Sequence, residues 1–508
     1  MNPLFDTSIR RIIPRWRDAA TTASLGELGS LTPQTRHVSS EALREKLNDW
    51  NTAPSLFVAT DIIGTALLSE PFDDPKIHEA AAAILHPDSG ASGVARRAAE
   101  HVLNGPGSPA DANTALVTQA ELYHRVHQTR KALWADLRNA MKWVELSQLY
   151  TLAGQLEKAR ATMRMALTLA PDNRYVLRSA TRLLVHVKDP AEAWSILRNA
   201  RRTAHDPWLV AAEIGVAGLL GQSPKLTKAA IALASSGTFR PHDLTEVASS
   251  LGTLEAEHGN RRKAKKLFEL AMRDPNDNVL AQAAWAARAA GVTTSIDLAN
   301  VDVPLSFEAR ARLHFQQQEW NDALRESEQW FNDQRFSVGA AAFASYISAV
   351  VLAQHEKAVA LLKEARIANP DDWLVRNNLA FSLASLNRVA EATDVFGGLP
   401  PETSSPSRYG VWLATSGLLA FRSGNIQQGQ RLYDQAIELF GRHGLTSARA
   451  VAAVFKAREE LNTELPTALE AVHEARDLVG RANSVELDTL VAQLEPKNAQ
   501  RDQIRLIS

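Results

Sequence analysis

Along most of the chain apolar residues return every three or four positions, the period of one helix face, and the two-residue alternation of strands is rare. The pattern predicts a succession of helices, and one stretch gives their unit. Trp143, Leu146 and Tyr150 share one face of a first helix, Gly154 permits a tight turn, and Ala159, Met163 and Ala166 lie along a second helix that Pro171 ends. The small alanines let the second helix approach the first closely, and the methionine between them fills the gap.

The unit recurs with a period near 34. The equivalent of Ala159 is Ala193, then Ala264 after room for one degenerate unit, then Ala323, Ala358, Ala392 and Gly429, with a weaker unit around Phe455, Ala468, Val472 and Ala475. The run Trp143-Val-Glu-Leu146-Ser147-Gln-Leu-Tyr150, followed by Ala159, Met163 and Pro171, resembles the tetratricopeptide repeat pattern W-x2-L-G-x2-Y…A-x3-F…P. Ser147 replaces the small glycine and Met163 the phenylalanine. The resemblance spans roughly 139–480 and implies an all-α fold, a right-handed α-solenoid of helix-turn-helix repeats. Two stretches depart from it. Ala264 to Ala323 is too short for two units and includes the loop-like Thr293-Thr294-Ser295-Ile296-Asp297, and Leu399 to Ser407 reads as an inserted turn.

The flanks complete the organisation. Residues 1–36 form an arginine-bearing arm and 37–138 a helical N-terminal region, possible degenerate repeats. Two repeat blocks follow, 139–291 and 292–480, and 481–508 is a polar tail or capping helix. Ser39 or Ser40 is placed to cap the first helix of the N-terminal region, and helices are expected over Ile77–Leu85, Ala95–Leu103 and Asp111–Leu137. Asn104 to Pro109 reads as a linker.

Composition narrows the function more than the fold. The 508 residues carry 56 Lys+Arg against 57 Asp+Glu, which removes the basic excess of most nucleic-acid binders. The absence of cysteine excludes disulfides, thiolate metal sites and cysteine nucleophiles. Arg10, Arg11, Arg15, Arg17 and Pro14 interrupt the N-terminal apolar runs, so no secretory signal is read there, and no segment has the character of a spanning helix. A soluble, cytoplasmic protein is expected, its arm solvated or docked.

No catalytic, cofactor or metal site is expected. Glu121, His124 and His127 share a helical face but lack the spacing and fourth ligand of a metal centre, and neither a phosphate-binding glycine loop nor a nucleophile elbow is present. Stacked helix pairs instead create an extended concave surface. In the family resembled, first helices line that groove, and carrying this over places Glu145 and Gln148, then Tyr175, Arg178, Arg182 and His186 in the first block. In the second block it gives Phe343, then Asn377, Asn378 and Phe381, then Thr415, Leu418 and Arg422. Asparagine amides beside phenylalanines would clamp a peptide backbone over an apolar floor. The resemblance thus implies a non-catalytic adaptor binding a partner protein or peptide, with self-association possible. The alternatives are a regulatory or sensor subunit of a multi-protein bacterial effector, and RNA binding along basic runs such as Arg201-Arg202 and Arg261 to Lys266. The charge balance disfavours the second.

Overall fold

Short polar residues set where many of the helices begin. Asn139, Asn173, Asp189, Ser337 and Asp372 each accept a backbone N–H of the first turn beyond them, satisfying donors that a helix start leaves unpaired. Pro190, Pro207, Pro241 and Pro406 open their helices, where a missing N–H costs nothing.

The computed structural model describes residues 9–17, 40–66, 74–89, 91, 93–104, 119–294, 302–482 and 485–494. Among these the secondary structure is helical throughout, without strands. An N-terminal group comprises α1 (Ser40–Thr52), α2 (Leu56–Ala66), α3 (Pro75–Leu85) and α4 (Gly93–Asn104), closed over its own core of Leu47, Ile62, Ile63, Ile77, Ile84 and Val102. After α5 (Gln119–Ala135) come the pairs α6 (Ala140–Leu152) with α7 (Leu156–Leu169), α8 (Arg174–His186) with α9 (Pro190–Asn199), α10 (Pro207–Leu219) with α11 (Thr227–Ser235), and α12 (Pro241–Glu257) with α13 (Arg261–Ala271). The first helix α14 (Asp277–Ala289) follows, then the pair α15 (Phe307–Gln316) and α16 (Trp320–Asp333). Next is α17 (Val338–Tyr346), which runs on as a π-helical turn over Ile347–Val351 and pairs with α18 (His355–Ala368). The array ends with α19 (Trp373–Ser385) and α20 (Val389–Gly397), α21 (Pro406–Arg422) and α22 (Ile426–Arg442), α23 (Thr446–Asn462) and α24 (Ala468–Ala482), and a terminal α25 (Val485–Ala492).

The expected helices at Ile77–Leu85 and Ala95–Leu103 are α3 and α4, and the interval Leu399 to Ser405 is irregular before Pro406 opens α21. Ser40 opens α1. Ser39, residues 105–118, 295–301 and 495–508, which bear on the cap, the linker, the start of the long helix, the inter-block loop and the tail, lie outside the described residues.

Small residues fix the register within pairs. A side chain added at Gly429 would meet the Phe421 ring at 2.5 Å, so α21 and α22 close only on hydrogen. Ser147 improves on the glycine it replaces, because its hydroxyl donates to the Ala159 carbonyl at 2.8 Å and ties α6 to α7.

The array also turns back on itself. Phe336 and Ala368, late in the chain, share an apolar cluster with Val144, Tyr150, Met163 and Leu183 of the first two pairs. Gly154 lies against the Ile367 carbonyl, Phe336 packs edge-on to His186 with ring centroids 5.3 Å apart, and Lys188 pairs with Asp372 at 3.4 Å. The first pair therefore meets α18, and the first helices between them enclose a channel.

Candidate binding site

The channel is filled by the chain's own residues 9–17. This segment, neither helix nor strand, crosses the first helices from α14 and α12 toward α6 and α8, and it is held in two ways. Amide and phenol side chains bind its backbone: Gln282 donates to the Arg10 carbonyl at 2.6 Å, Asn278 to Ile13 at 3.0 Å, Gln148 to Trp16 at 3.0 Å and the Tyr175 hydroxyl to Arg17 at 3.0 Å. Carboxylates bind its side chains. Arg10 makes a forked pair with Glu308 at 3.1 and 2.9 Å, Arg11 a forked pair with Glu257, Arg15 reaches Asp277 and Glu308, and Arg17 bridges Asp277 and Asp333. Ile12 and Trp16, each 1% exposed, supply the apolar part, Trp16 standing edge-on to Phe336 at 5.8 Å.

The helices leave room for the segment. A side chain at Gly215 of α10 would strike the Ile12 carbonyl at 2.2 Å, so glycine here allows the backbones to approach. Burial alone would raise the Glu308 carboxyl, but Arg10, Arg15 and Arg312 outweigh it and hold that group well below the usual carboxylate range. Asp277 is likewise held low, burial being overcome by Arg17 and Arg15.

Of the six residues expected to line this part of the groove, Gln148 and Tyr175 touch the arm directly. Arg178 acts one step removed: it pairs with Glu246 at 2.7 Å, and Glu246 accepts from Asn278, orienting an amide that clamps the arm. Arg182 lies over the Phe336 ring at 4.8 Å, its pKa lowered to about 10 by burial and by Arg15. His186 packs edge-on to that ring, its pKa lowered to about 3 by burial and by Arg182. Gln148 clamps the arm, whereas Glu145 pairs with Lys142 on its own helix. Asp277, Asn278, Gln282, Glu308 and Asp333 were not anticipated, and the signal that could have found them is the arm itself: four arginines in a chain of near-zero net charge require acidic partners.

In the second block, Asn377, Asn378, Phe381 and Thr415 converge on one pocket between α17, α19, α21 and α23, with Phe381 edge-on to Phe455 at 5.0 Å. The other three expected residues lie elsewhere, Leu418 being fully buried in the core. Phe343 packs inside the core against Phe315 and Trp330, and Arg422 pairs with Glu459 at 2.7 Å while donating to Asn387, joining neighbouring repeats.

Among the described residues, one group could offer three metal-ligating atoms, His314, Glu319 and Asp322. Glu319 is exposed and already hydrogen-bonded to His314 at 2.5 Å. His124 of α5 is bonded to Gln128 at 2.7 Å. Of the basic runs, Arg202 pairs with Asp206, and Lys263 and Lys265 with Glu255 and Glu269. No helix among the described residues is long and apolar enough to cross a membrane.

No protein-family profile and no curated protein matches the chain. Among the solved structures similar to it, two match at low overlap. One is yeast Tom70, 16% identical, with 77% of this chain and 94% of that one covered and a TM-score of 0.28. The other is Naa15/Naa10 bound to HypK-THB, 12% identical, with 87% and 75% covered and a TM-score of 0.24. Overlap this low carries no weight for partner or activity.

Proposed function

We propose that the chain is a non-catalytic interaction scaffold of the tetratricopeptide kind, whose concave surface takes a non-helical peptide segment of a partner protein. One observation carries this reading: the groove already holds such a segment, its carbonyls bound by Gln148, Tyr175, Asn278 and Gln282 and its arginines by Glu257, Asp277, Glu308 and Asp333. Carbonyl clamps accept many sequences, while the carboxylate row selects a basic one, so the partner segment is arginine-rich. A regulatory role for the chain draws on the same observation, because a groove filled by its own arm binds a competitor only when the arm leaves. The arm's arginines are committed to carboxylates, which weighs against RNA as the ligand.

The test uses the full-length chain carrying Arg10→Ala, Arg15→Ala and Trp16→Ala, so that the arm no longer docks. A fluorescent peptide of residues 9–17 should bind this variant with one site per chain and bind the unaltered chain at least tenfold more weakly. Absence of binding to a variant with unchanged helicity removes the peptide-scaffold reading.

A further inference from the structure

The second block's concave surface, unlike the first, holds a pocket that no described segment fills. Residues of α17, α19, α21 and α23, with Tyr433 and Phe440 of α22, surround a cavity of about 50 Å3 that opens to solvent. The walls are apolar, with Tyr346, Val350, Phe381, Val411, Phe440 and Val451 prominent, and no lining residue is charged. A charged ligand would therefore lose its hydration without gaining a counter-charge.

One wall is polar, and its bonding is incomplete. Asn377 is 1% exposed; its Nδ2 donates to Asn378 Oδ1 at 3.3 Å, and Asn378 Nδ2 donates onward to Ser345 Oγ at 3.4 Å. Asn377 Oδ1 is left buried without a partner. An orphaned amide oxygen costs about 1–3 kcal/mol, which a ligand supplying one donor removes. A second feature adjoins it, one turn beyond Ser345. There α17 widens into its π turn, contributing Ala349 and Val350 to the lining, and Gln493 beyond α25 donates to the Val351 carbonyl at 2.8 Å. Such turns are frequent at functional sites.

We propose that this pocket binds a neutral, mainly aromatic small molecule with a single N–H or O–H donor. Its ring lies among Phe381, Phe440 and Val451, and its donor meets Asn377 Oδ1. The site is separate from the arm channel and does not depend on the peptide reading.

Indole and 1-methylindole, alike in shape but differing in the donor, test this by calorimetric titration of the full-length chain. Indole should bind at one site, at least fivefold tighter than 1-methylindole, and the difference should vanish in Asn377→Leu. Ala414→Phe, which fills the pocket, should abolish binding of both. If Asn377→Leu does not fold, methyl resonances provide the second readout: on adding indole, shifts should concentrate at Val411 and Val451. Lack of saturable binding by either compound overturns the proposal, as does equal affinity of the two, undiminished binding to Ala414→Phe, or shifts that spare both valines. Peptide binding in the first channel is measured independently, so the two readings fail separately.

Discussion

Glu308 is the residue on which the arm depends most. Arg10, Arg15 and Arg312 all reach this one carboxylate, and it is almost fully buried. Removing one partner of a buried ion pair typically costs about 3–5 kcal/mol, because the charge left behind is neither hydrated nor matched. Glu308→Gln should therefore release the arm: brief trypsin treatment should spare Arg10 and Arg11 in the unaltered chain and cut there in the variant, while the repeats stay intact. Acid should act in the same direction. Asp277 and Glu308 titrate below their ordinary values, so the stability they contribute is complete above the ordinary carboxylate range and is lost as pH falls through their lowered values. His186, at about 3 in the folded chain against an ordinary 6.5, stays neutral in the fold while the unfolded chain takes up a proton, so stability begins to fall below about pH 6.5. Acidification from pH 7 to 5 should lower the melting temperature, and His186→Leu should flatten that part of the profile. A pH-independent melting temperature over this range would contradict the burial of a neutral imidazole. These partners were illegible in the sequence for a simple reason. Nothing in the spacing of Asp277, Glu308 and Asp333 ties them to a segment some 260 to 320 residues earlier; only the closure of the channel does.

At the scale of the helix pair, much more could be read. The period of Ala159, Ala193, Ala264, Ala323, Ala358 and Ala392 places a small residue at the same point of each second helix, and all six are fully buried. The turns are where the pattern fades. The residue that ends each first helix takes a left-handed conformation, and at Gly154, Gly259 and Gly424 glycine advertises it. At Lys188, Gln318, Ala353, Asn387 and Glu464 the same geometry is imposed on residues with a side chain, so the packing of the pair overrides local preference there. Ala353 is exposed, and its strain is not offset by burial. Ala353→Gly should stabilise the α17–α18 pair by up to about 1 kcal/mol, the usual scale for relieving a left-handed alanine. Ala358→Leu, one turn further, should destabilise the same pair by roughly 1–3 kcal/mol through overpacking. Hydrogen exchange of the α18 amides measures both: protection should rise in the first variant and fall in the second. If Ala358→Leu were neutral, Ala358 would not sit at the close contact between the helices.

For the whole molecule, the decisive contact is the one that closes the first turn of the array. A linear series of pairs shares stability only between neighbours, so each unit can open without its distant companions. Here α6–α8 rest on Phe336, Ile367 and Ala368, which couples the first pairs to the fifth and sixth and closes the channel that holds the arm. Four carboxylates facing one channel would repel one another if the arm were absent, so arm and closure support each other. Gly154 is where this coupling can be cut without touching the arm. Its φ of +69° strains any other residue, and an added methyl would lie 2.2 Å from the Ile367 carbonyl, so Gly154→Ala must push α6–α7 away from α18. The expected outcome is a loss at a distance: trypsin should reach Arg10 and Arg11, as in Glu308→Gln, although position 154 is not among the groups that hold the arm. Exchange protection should fall in α6–α8 while α21 to α24 are unchanged. An arm that stays protected in Gly154→Ala would mean that the carboxylates alone retain it and that closure of the array adds nothing to its hold.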